Sequence, residues 1–308
     1  MKWEKKALIQ NVISKLPSVV SNIIYFQIQK KFGTLNSLSS WHHLNIKNIR
    51  ENLKKINFDL SGKVILEIGT GRSLIIPVLL WLYGADKIIS VDKNKLLKKE
   101  TTFNFIDFLH NNKEKLTDFL DADSRSKKFE YRLMQLSQIK RNFDSLFQLC
   151  NIQYLAPSDA AELPTGTGSV DLYLSVSVLE HIEPEIIEKI FIEAKRVLRQ
   201  NGYMYHIIDL TDHFSHADKS ITSINFLKFS EKEWKKYANN PFAYHNRLRV
   251  YDYSEIFQKA GLNIFLQNNK LDEDAKNLLN NAFVLDQKYQ NRKAEDLATG
   301  NIEFIGQY

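Results

Sequence analysis

The sequence predicts an α/β fold built on a seven-stranded sheet, and three observations support this prediction. A short apolar run, Val64 to Ile68, leads through a Gly-x-Gly turn into an apolar helix, as a strand buried on both faces of a parallel sheet would. Further apolar runs then alternate with helix-periodic segments, which is typical of parallel sheets. A final pair of runs, at 263–267 and 301–306, completes the set of strands.

The elements follow in a regular order along the chain. Leu74 to Leu82 predicts a buried helix directly after the first strand. The remaining predicted strands are 87–92, 152–156, 171–178, 203–210, 263–267 and 301–306, and the helices between the later ones are 183–200 and 253–260.

Two domains are predicted from the segments that do not fit this alternation. Residues 1–60 show apolar and basic positions at helical spacing, and we interpret them as an N-terminal helical lid. Residues 61–308 form the core domain, with helical insertions at about 95–149 and 211–250. The first insertion could form either part of a substrate pocket or the interface of a homodimer.

Composition excludes several classes of protein. The net charge is +6, from 42 basic and 36 acidic residues, and this mild excess is spread over predicted helix faces, so we expect no nucleic-acid partner. A single cysteine, Cys150, excludes an intrachain disulfide. The longest apolar run, 74–85, is too short to span a bilayer, and lysines interrupt the N-terminal apolar stretch. We therefore expect a cytoplasmic protein without an integral membrane segment.

The glycine turn narrows the choice of ligand. A dinucleotide fingerprint needs a third glycine where Leu74 stands, and Arg72-Ser73 replaces the lysine of a phosphate-binding P-loop. The remaining pattern, Glu67-x-Gly69-x-Gly71, resembles motif I of the class I S-adenosylmethionine (SAM)-dependent methyltransferases. The resemblance implies a Rossmann-like sheet with an antiparallel last strand, SAM as cofactor, and a turn close to the methionine part of SAM, made by Glu67, Ile68, Gly69, Thr70 and Gly71. We expect Glu67 to orient this turn by accepting backbone N–H groups.

Carboxylates after the next two strands complete the predicted cofactor site. Asp92, followed by Lys93, ends the second strand, where an acid in a βαβ unit accepts hydrogen bonds from a ribose diol. Asp159-Ala160 begins a segment that resembles the Asp-Ala-x-x-Leu-Pro segment of the same family, which implies contact with the adenine amine. The run from Ser175 and Ser177 to Ile182 resembles motif IV of the methyltransferase 11 type domains.

Histidines and acids near the carboxyl ends of the strands are candidates for acceptor chemistry. If the acceptor is a hydroxyl, it needs a base, and the candidates are His181, His213, His216 and Asp209, of which His181, His213 and Asp209 are assigned as catalytic. Asp209, Asp212, His213 and His216 could also ligate a metal, but no supporting pattern accompanies them, so no metal is predicted. The candidates for substrate binding are Trp41, His42, His216 and Arg247.

The resemblance therefore implies an enzyme that moves a methyl group from SAM to a small molecule or a sugar. The absence of an Asn/Asp-Pro-Pro-Tyr segment after the fourth strand argues against methylation of DNA adenine or protein glutamine, as the family resemblance has it. Two alternatives stay open: a nicotinamide-dependent oxidoreductase on a related sheet, and a binding subunit with the same fold and no catalysis.

Overall fold

A computed structural model describes residues 1–32, 40–120, 122–281 and 283–308, without the side chains at 32, 40–44, 118 and 119. The strands are β1 (Val64–Ile68), β2 (Lys87–Val91), β3 (Ile152–Leu155), β4 (Val170–Val176), β5 (Leu198–Asp209), β6 (Asn263–Leu271) and β7 (Thr299–Gln307). They form one sheet in the order β3-β2-β1-β4-β5-β7-β6. The predicted seven-stranded α/β fold is confirmed.

The burial pattern of each strand matches its direction in the sheet. The four strands β1 to β4 pair in parallel, and β1 and β4 are almost wholly buried, which explains their continuous apolar sequences. β6 alternates between exposed and half-buried residues over its first half and pairs antiparallel with β7. The family resemblance implied an antiparallel last strand, and this pairing confirms it.

Helices fill the segments that were predicted to be helical. Before β3 they are α1 (Trp3–Ser14), α2 (Ser18–Phe32), α3 (Ser40–Lys55), α4 (Ile75–Leu82), α5 (Lys99–Asn111), α6 (Leu116–Phe119), α7 (Lys127–Gln138) and α8 (Phe143–Cys150). After β4 they are α9 (Pro184–Val197), α10 (Glu231–Ala238), α11 (Val250–Lys259), α12 (Glu273–Asn281) and α13 (Ala294–Ala298). No helix of the described residues is long and apolar enough to cross a membrane.

Local sequence signals set the ends of the helices in the first insertion. The Ser126 hydroxyl accepts the Phe129 N–H at 3.3 Å where α7 begins, and the Asn142 amide oxygen accepts the Ser145 N–H at 2.8 Å where α8 begins. These are side-chain caps on backbone donors that have no partner within the helix. Asn151 ends α8 with a φ of 50°, and β3 begins at the next residue.

One predicted boundary is wrong. The helix expected to reach Gln200 ends at Val197, and β5 begins at Leu198 instead of Tyr203. At Gly202 a Cβ atom would come within 3.0 Å of the Arg199 carbonyl oxygen and within 3.2 Å of the Asp171 carbonyl oxygen. Gly202 thus permits a close backbone approach here, instead of the helix end that the Asn-Gly pair suggested.

The chain forms two compact units. The first contains residues 40–176 and 192–204, and the second contains residues 1–32, 177–191 and 205–308. This division differs from the domain boundary that we placed at residue 60, because α1 and α2 belong to the second unit and α3 to the first. The role of residues 1–60 as a lid stays a prediction.

Helix α1 is anchored within the second unit through Trp3. The indole is 6% exposed, and its ring centroid lies 4.7 Å from that of Tyr237 and 5.6 Å from that of Phe214. The Trp3 backbone N–H also donates to the Asp218 carboxylate at 2.8 Å. The start of α1 is therefore held by both aromatic packing and a charge-assisted hydrogen bond.

Candidate functional site

The carboxyl ends of four parallel strands lie level with one another in the first unit. Ile68 pairs in register with Val91 on one side and with Ser175 on the other, and Val91 pairs with Leu155. Neighbouring strands are about 4.8 Å apart, so this row spans about 14 Å. The residues that follow each strand are thereby brought to a single edge of the sheet, where open α/β sheets bind ligands.

The glycine turn follows β1 at this edge. Gly69 and Gly71 have φ angles of 80° and 64°, in the left-handed region that glycine adopts readily. The Gly69 N–H donates to the Val91 carbonyl at 2.8 Å, which holds the turn against the end of β2. A Cβ atom on Gly71 would meet only the Gly69 carbonyl oxygen, at 3.9 Å. The missing side chain therefore leaves free space beside the turn.

Asp92 fixes the turn from the end of β2. Its Oδ2 accepts the Gly71 N–H at 2.7 Å, and its Oδ1 accepts the Asn94 N–H at 2.8 Å. Burial raises the pKa of Asp92, and these two backbone hydrogen bonds partly offset that effect. Each oxygen keeps a further lone pair, so the carboxylate can still accept hydrogen bonds from a ligand.

Glu67 reaches the turn through hydroxyl groups. Its Oε2 accepts from the Ser90 hydroxyl at 2.7 Å, and the Ser90 and Thr70 hydroxyl oxygens are also 2.7 Å apart. Burial is the main cause that raises the pKa of Glu67 to about 7. We expected Glu67 to accept backbone N–H groups of the turn, but the contact runs through Ser90 and Thr70 instead.

The segment after β3 lies next to Asp92. The Ser158 N–H donates to the Asp92 carbonyl oxygen at 2.9 Å. Asp159 is exposed, and its Oδ1 accepts the Ala161 N–H at 2.9 Å, which leaves its other oxygen available to a ligand amine. Ala160 is half-buried and Lys93 is exposed. The structure thus brings the predicted residues after β1, β2 and β3 together in the first unit.

Two serines at the end of the fourth strand were predicted to bind the cofactor, and the structure places them in different units. Ser175 lies in β4 next to Ile68 in register and is fully buried. Ser177 follows β4, has a φ of 52° and belongs to the second unit, where its N–H donates to the Ile207 carbonyl at 2.8 Å. The side chains of Trp41 and His42 lie outside the described part of the chain.

The second unit holds a cluster of histidines around Asp209, the last residue of β5. Asp209 Oδ2 lies 3.6 Å from His213 Nε2 and 3.7 Å from His216 Nε2. Thr211 donates its hydroxyl to Asp209 Oδ1 at 2.6 Å and lies 2.9 Å from His216 Nε2, which therefore donates its proton to Thr211. Burial acts to raise the pKa of Asp209, but His213, Thr211 and His216 outweigh it and hold that pKa below its ordinary value.

Glu180 and His181 enter the same cluster from the 3-10 turn after β4. The His181 Nδ1 atom lies 2.8 Å from the Tyr244 carbonyl oxygen, so Nδ1 carries the proton and Nε2 the lone pair. The His181 ring is accessible to solvent, yet the surrounding protein, and next His213, lower its pKa to about 4. Burial and then the charge of Asp209 raise the pKa of Glu180 well above its ordinary value.

Two members of this cluster were missed as site residues. Glu180 directly precedes His181 in the motif IV run, and that adjacency could have identified it. His245 is 5% exposed and stacks on His213 with ring centroids 5.0 Å apart. Burial, followed by His213 and His181, lowers the pKa of His245 well below its ordinary value. No sequence signal linked His245 to His213, because 32 residues separate them.

Arg247 is corrected from a substrate-binding residue to a structural one. Its side chain is 1% exposed, and its guanidinium donates to the Phe226 and Phe229 carbonyls at 2.9 and 2.7 Å and pairs with Glu231 at 2.7 Å. Arg249 is fully buried and donates to the Leu210, Leu297 and Thr299 carbonyls. Both guanidinium groups are occupied by hydrogen bonds within the second unit, so we assign both arginines a structural role and not ligand binding.

Comparison with known proteins gives one family model that matches part of the chain. The model of the family described as "Methyltransferase domain" (methyltransferase 11) matches residues 130–206. No curated protein sequence matches this chain.

Solved structures with a similar backbone include the following three chains. A protein from Pyrococcus horikoshii OT3 has 14% identity and a TM-score of 0.49, covering 91% of this chain and 98% of that one. Phosphoethanolamine N-methyltransferase 2 from Haemonchus contortus, in complex with SAM, has 16% identity and a TM-score of 0.48, covering 94% and 58%. A SAM-dependent methyltransferase from Mesorhizobium loti has 12% identity and a TM-score of 0.44, covering 84% and 96%.

The family match includes β3, β4, α9 and most of β5, and so contains the Asp159 segment and the Glu180-His181 turn. The sheet has the seven strands that the resemblance implied. Residues 130–206 of the chain are thus similar to the methyltransferase 11 family described as "Methyltransferase domain".

Proposed function

We propose that this protein transfers a methyl group from SAM to an oxygen or nitrogen of a small-molecule or saccharide acceptor. The observation that carries this proposal is the space beside Gly71, next to the Asp92 carboxylate and at the level edge of β1 to β4. A glycine whose absent side chain leaves room, beside an acid with free lone pairs, suits a nucleoside ligand that needs close backbone approach.

The residues of the first unit fit the parts of SAM one by one. The remaining lone pairs of Asp92 suit the two ribose hydroxyls, and the outer oxygen of Asp159 suits the adenine amine. The turn from Gly69 to Gly71 carries no side chain that would block the methionine part. Lys93 and Ala160 lie beside these acids in the chain and complete the first unit's proposed cofactor set with Ile68 and Ser175.

SAM, when bound, supplies an electrophilic methyl group on a sulfonium, and the acceptor's lone pair takes this methyl carbon as the C–S bond breaks and S-adenosylhomocysteine is left. The protein's part is mainly to position the acceptor. A hydroxyl acceptor must also lose a proton, and a positioned base contributes about 10²–10⁴-fold to the rate. We assign the handling of the acceptor to His181, His213 and Asp209 in the second unit.

The chemistry of this cluster supports a small polar acceptor. Imidazole and carboxylate groups recognise hydroxyl and amino groups by hydrogen bonds, and the pKa of His181, lowered to about 4, keeps that ring neutral near pH 7. A neutral ring can accept a hydrogen bond from an acceptor hydroxyl. The mild net charge of +6 offers no strong field for a nucleic-acid acceptor.

Two measurements test this proposal. Thermal unfolding in the presence of SAM, S-adenosylhomocysteine and NADH should show stabilisation by the first two, because a ligand that binds only the folded chain raises its stability. Stabilisation by NADH alone would overturn the proposal in favour of an oxidoreductase. Incubation with SAM and pooled metabolites, followed by mass spectrometry, should reveal a methylated product. SAM binding with no methylation of any pool would favour the non-catalytic alternative.

A further inference from the structure

The side chain of Glu180 poses an electrostatic problem in the second unit. It is 2% exposed, its Oε2 has no hydrogen-bond partner, and its Oε1 accepts a long hydrogen bond of 3.3 Å from the Asp209 N–H. No lysine or arginine forms an ion pair with Glu180 among the described residues. A buried carboxylate without a partner is costly, so such a group takes up a proton, pairs with a cation or binds a metal ion.

Two imidazoles meet this carboxylate. A ligand atom of Glu180, one of His181 and one of His213 all lie within 4.8 Å of one another. The Tyr244 carbonyl takes the Nδ1 proton of His181, which leaves the Nε2 lone pair of that ring for a ligand. The Nε2 atom of His213 is buried and has no hydrogen-bond partner. Three electron-pair donors therefore come together in one place.

We propose that Glu180, His181 and His213 bind a divalent transition-metal cation. Two imidazoles and one carboxylate form the donor set of sites that keep coordination positions open, and such a set suits Zn²⁺, Co²⁺, Mn²⁺ or Fe²⁺. Mg²⁺ and Ca²⁺ prefer oxygen ligands throughout and fit less well. Ligands at about 2.1 Å from an ion lie about 3 to 3.5 Å apart, so donors separated by as much as 4.8 Å would have to move closer together on binding.

The surroundings match the second layer that metal ligands usually have. The Tyr244 carbonyl orients His181 at 2.8 Å, which is the role that outer acceptors play for ligating histidines. Asp209 Oδ2 lies 3.6 Å from His213 Nε2, and His245 stacks on the same ring at 5.0 Å. With Glu180 and Asp209 adjacent, a dication would neutralise both carboxylates.

The role of the ion, though not its binding, rests on the proposed function. A cation with open positions would take an acceptor hydroxyl as a ligand and lower the pKa of that hydroxyl. The proton would then pass to His216, whose Nε2–H is held by Thr211 and whose Nδ1 carries a lone pair. Such a role for the ion narrows the proposed acceptors to molecules that offer a metal-binding oxygen, such as a sugar hydroxyl.

The test uses the metal-free full chain and Co²⁺ as the probe, because Co²⁺ bound by histidines absorbs visible light. We expect one saturable site per chain, and competition by Zn²⁺. Glu180→Gln and His213→Gln should each weaken Co²⁺ binding by about tenfold or more. His110→Gln, at an exposed position on α5, is the matched control and should bind as the unaltered chain does.

Circular dichroism and the thermal unfolding transition of the metal-free chain, measured without SAM, establish that each variant is folded. Absence of a saturable site in the unaltered chain would overturn the inference, and so would unchanged Co²⁺ binding in both folded variants. Co²⁺ binding without any methyl transfer would instead sink the proposed function and leave the metal site standing. The two proposals therefore fail separately.

Discussion

The Asp92 carboxylate accepts the Gly71 N–H at 2.7 Å, so the acid at the end of β2 fixes the loop that follows β1. Asp92→Asn should weaken SAM binding by about 10- to 100-fold, since hydrogen bonds to a charged group contribute about 1.5–3 kcal/mol each. Isothermal titration calorimetry measures this change. Asp144→Asn, exposed in α8, is the control and should bind SAM normally. Equal affinities for both variants would contradict the role of Asp92.

Gly71 allows a sharper comparison, because Gly62 has nearly the same backbone conformation. Their φ angles are 64° and 72°, and a Cβ atom at Gly62 meets nothing within 4 Å. Alanine at either position should cost about 1 kcal/mol of stability. Gly71→Ala should also weaken SAM binding, and Gly71→Val should abolish it, whereas Gly62→Ala should not affect it. Thermal unfolding measures the loss of stability, and calorimetry measures the loss of SAM affinity. Similar losses of SAM affinity at both glycines would argue against SAM binding beside Gly71.

Glu67 predicts a pH dependence of stability. Its pKa is raised from 4.5 to about 7, so the folded chain holds this proton more tightly than the unfolded chain does. The contribution that this proton makes to the free energy of unfolding is therefore present below pH 4.5 and is lost as the pH rises to about 7. Glu67→Gln has no such proton and should gain Tm relative to the unaltered chain over that interval. Glu130→Gln, exposed in α7, should follow the unaltered chain, and a pH-independent difference for Glu67→Gln would refute the assignment.

His181 and His213 predict a split between turnover and cofactor binding. His181→Ala or His213→Ala should lower kcat by about 10²-fold or more, because each change removes a side chain assigned to the acceptor, while the Kd for SAM changes little. Steady-state kinetics with an identified acceptor and calorimetry with SAM provide the two numbers. His110→Ala serves as the comparison. Parallel losses in kcat and SAM affinity would count against a role toward the acceptor.

The sequence predicted the sheet well for a physical reason. Parallel strands buried on both faces must be apolar throughout, so β1, β2 and β4 stand out against the charged helices around them. The Gly69–Gly71 turn and Asp92 could be placed because a βαβ unit fixes their order and spacing.

The histidine cluster could only be predicted in part. His181, His213 and Asp209 follow strands and so were expected near a sheet edge, but His245 comes from a long insertion whose path the sequence does not specify. Arg247 was misassigned because a basic side chain near a histidine resembles an anion site. Its true partners are the Phe226 and Phe229 carbonyls, and no periodicity reveals which carbonyls a guanidinium will meet.

Arg249 allows a test of its own structural role. Its guanidinium donates to three backbone carbonyls, which lysine cannot match with a single ammonium group. Arg249→Lys should destabilise the fold by about 2–3 kcal/mol and lower the Tm, while SAM affinity measured below the Tm stays unchanged. Arg125→Lys, at an exposed position, is the control. An unshifted Tm would show that these contacts contribute little.

The buried pair Arg247 and Arg249 also bears on how relatives of this protein should be sorted. Because these two side chains brace the insertion and the end of the sheet, a chain that retains them shares this scaffold, whatever it acts on. Divergence of reaction would show instead at Glu180, His181 and His213. Grouping homologues by those three positions, rather than by overall similarity, is the way to separate architecture inherited in common from chemistry that has changed.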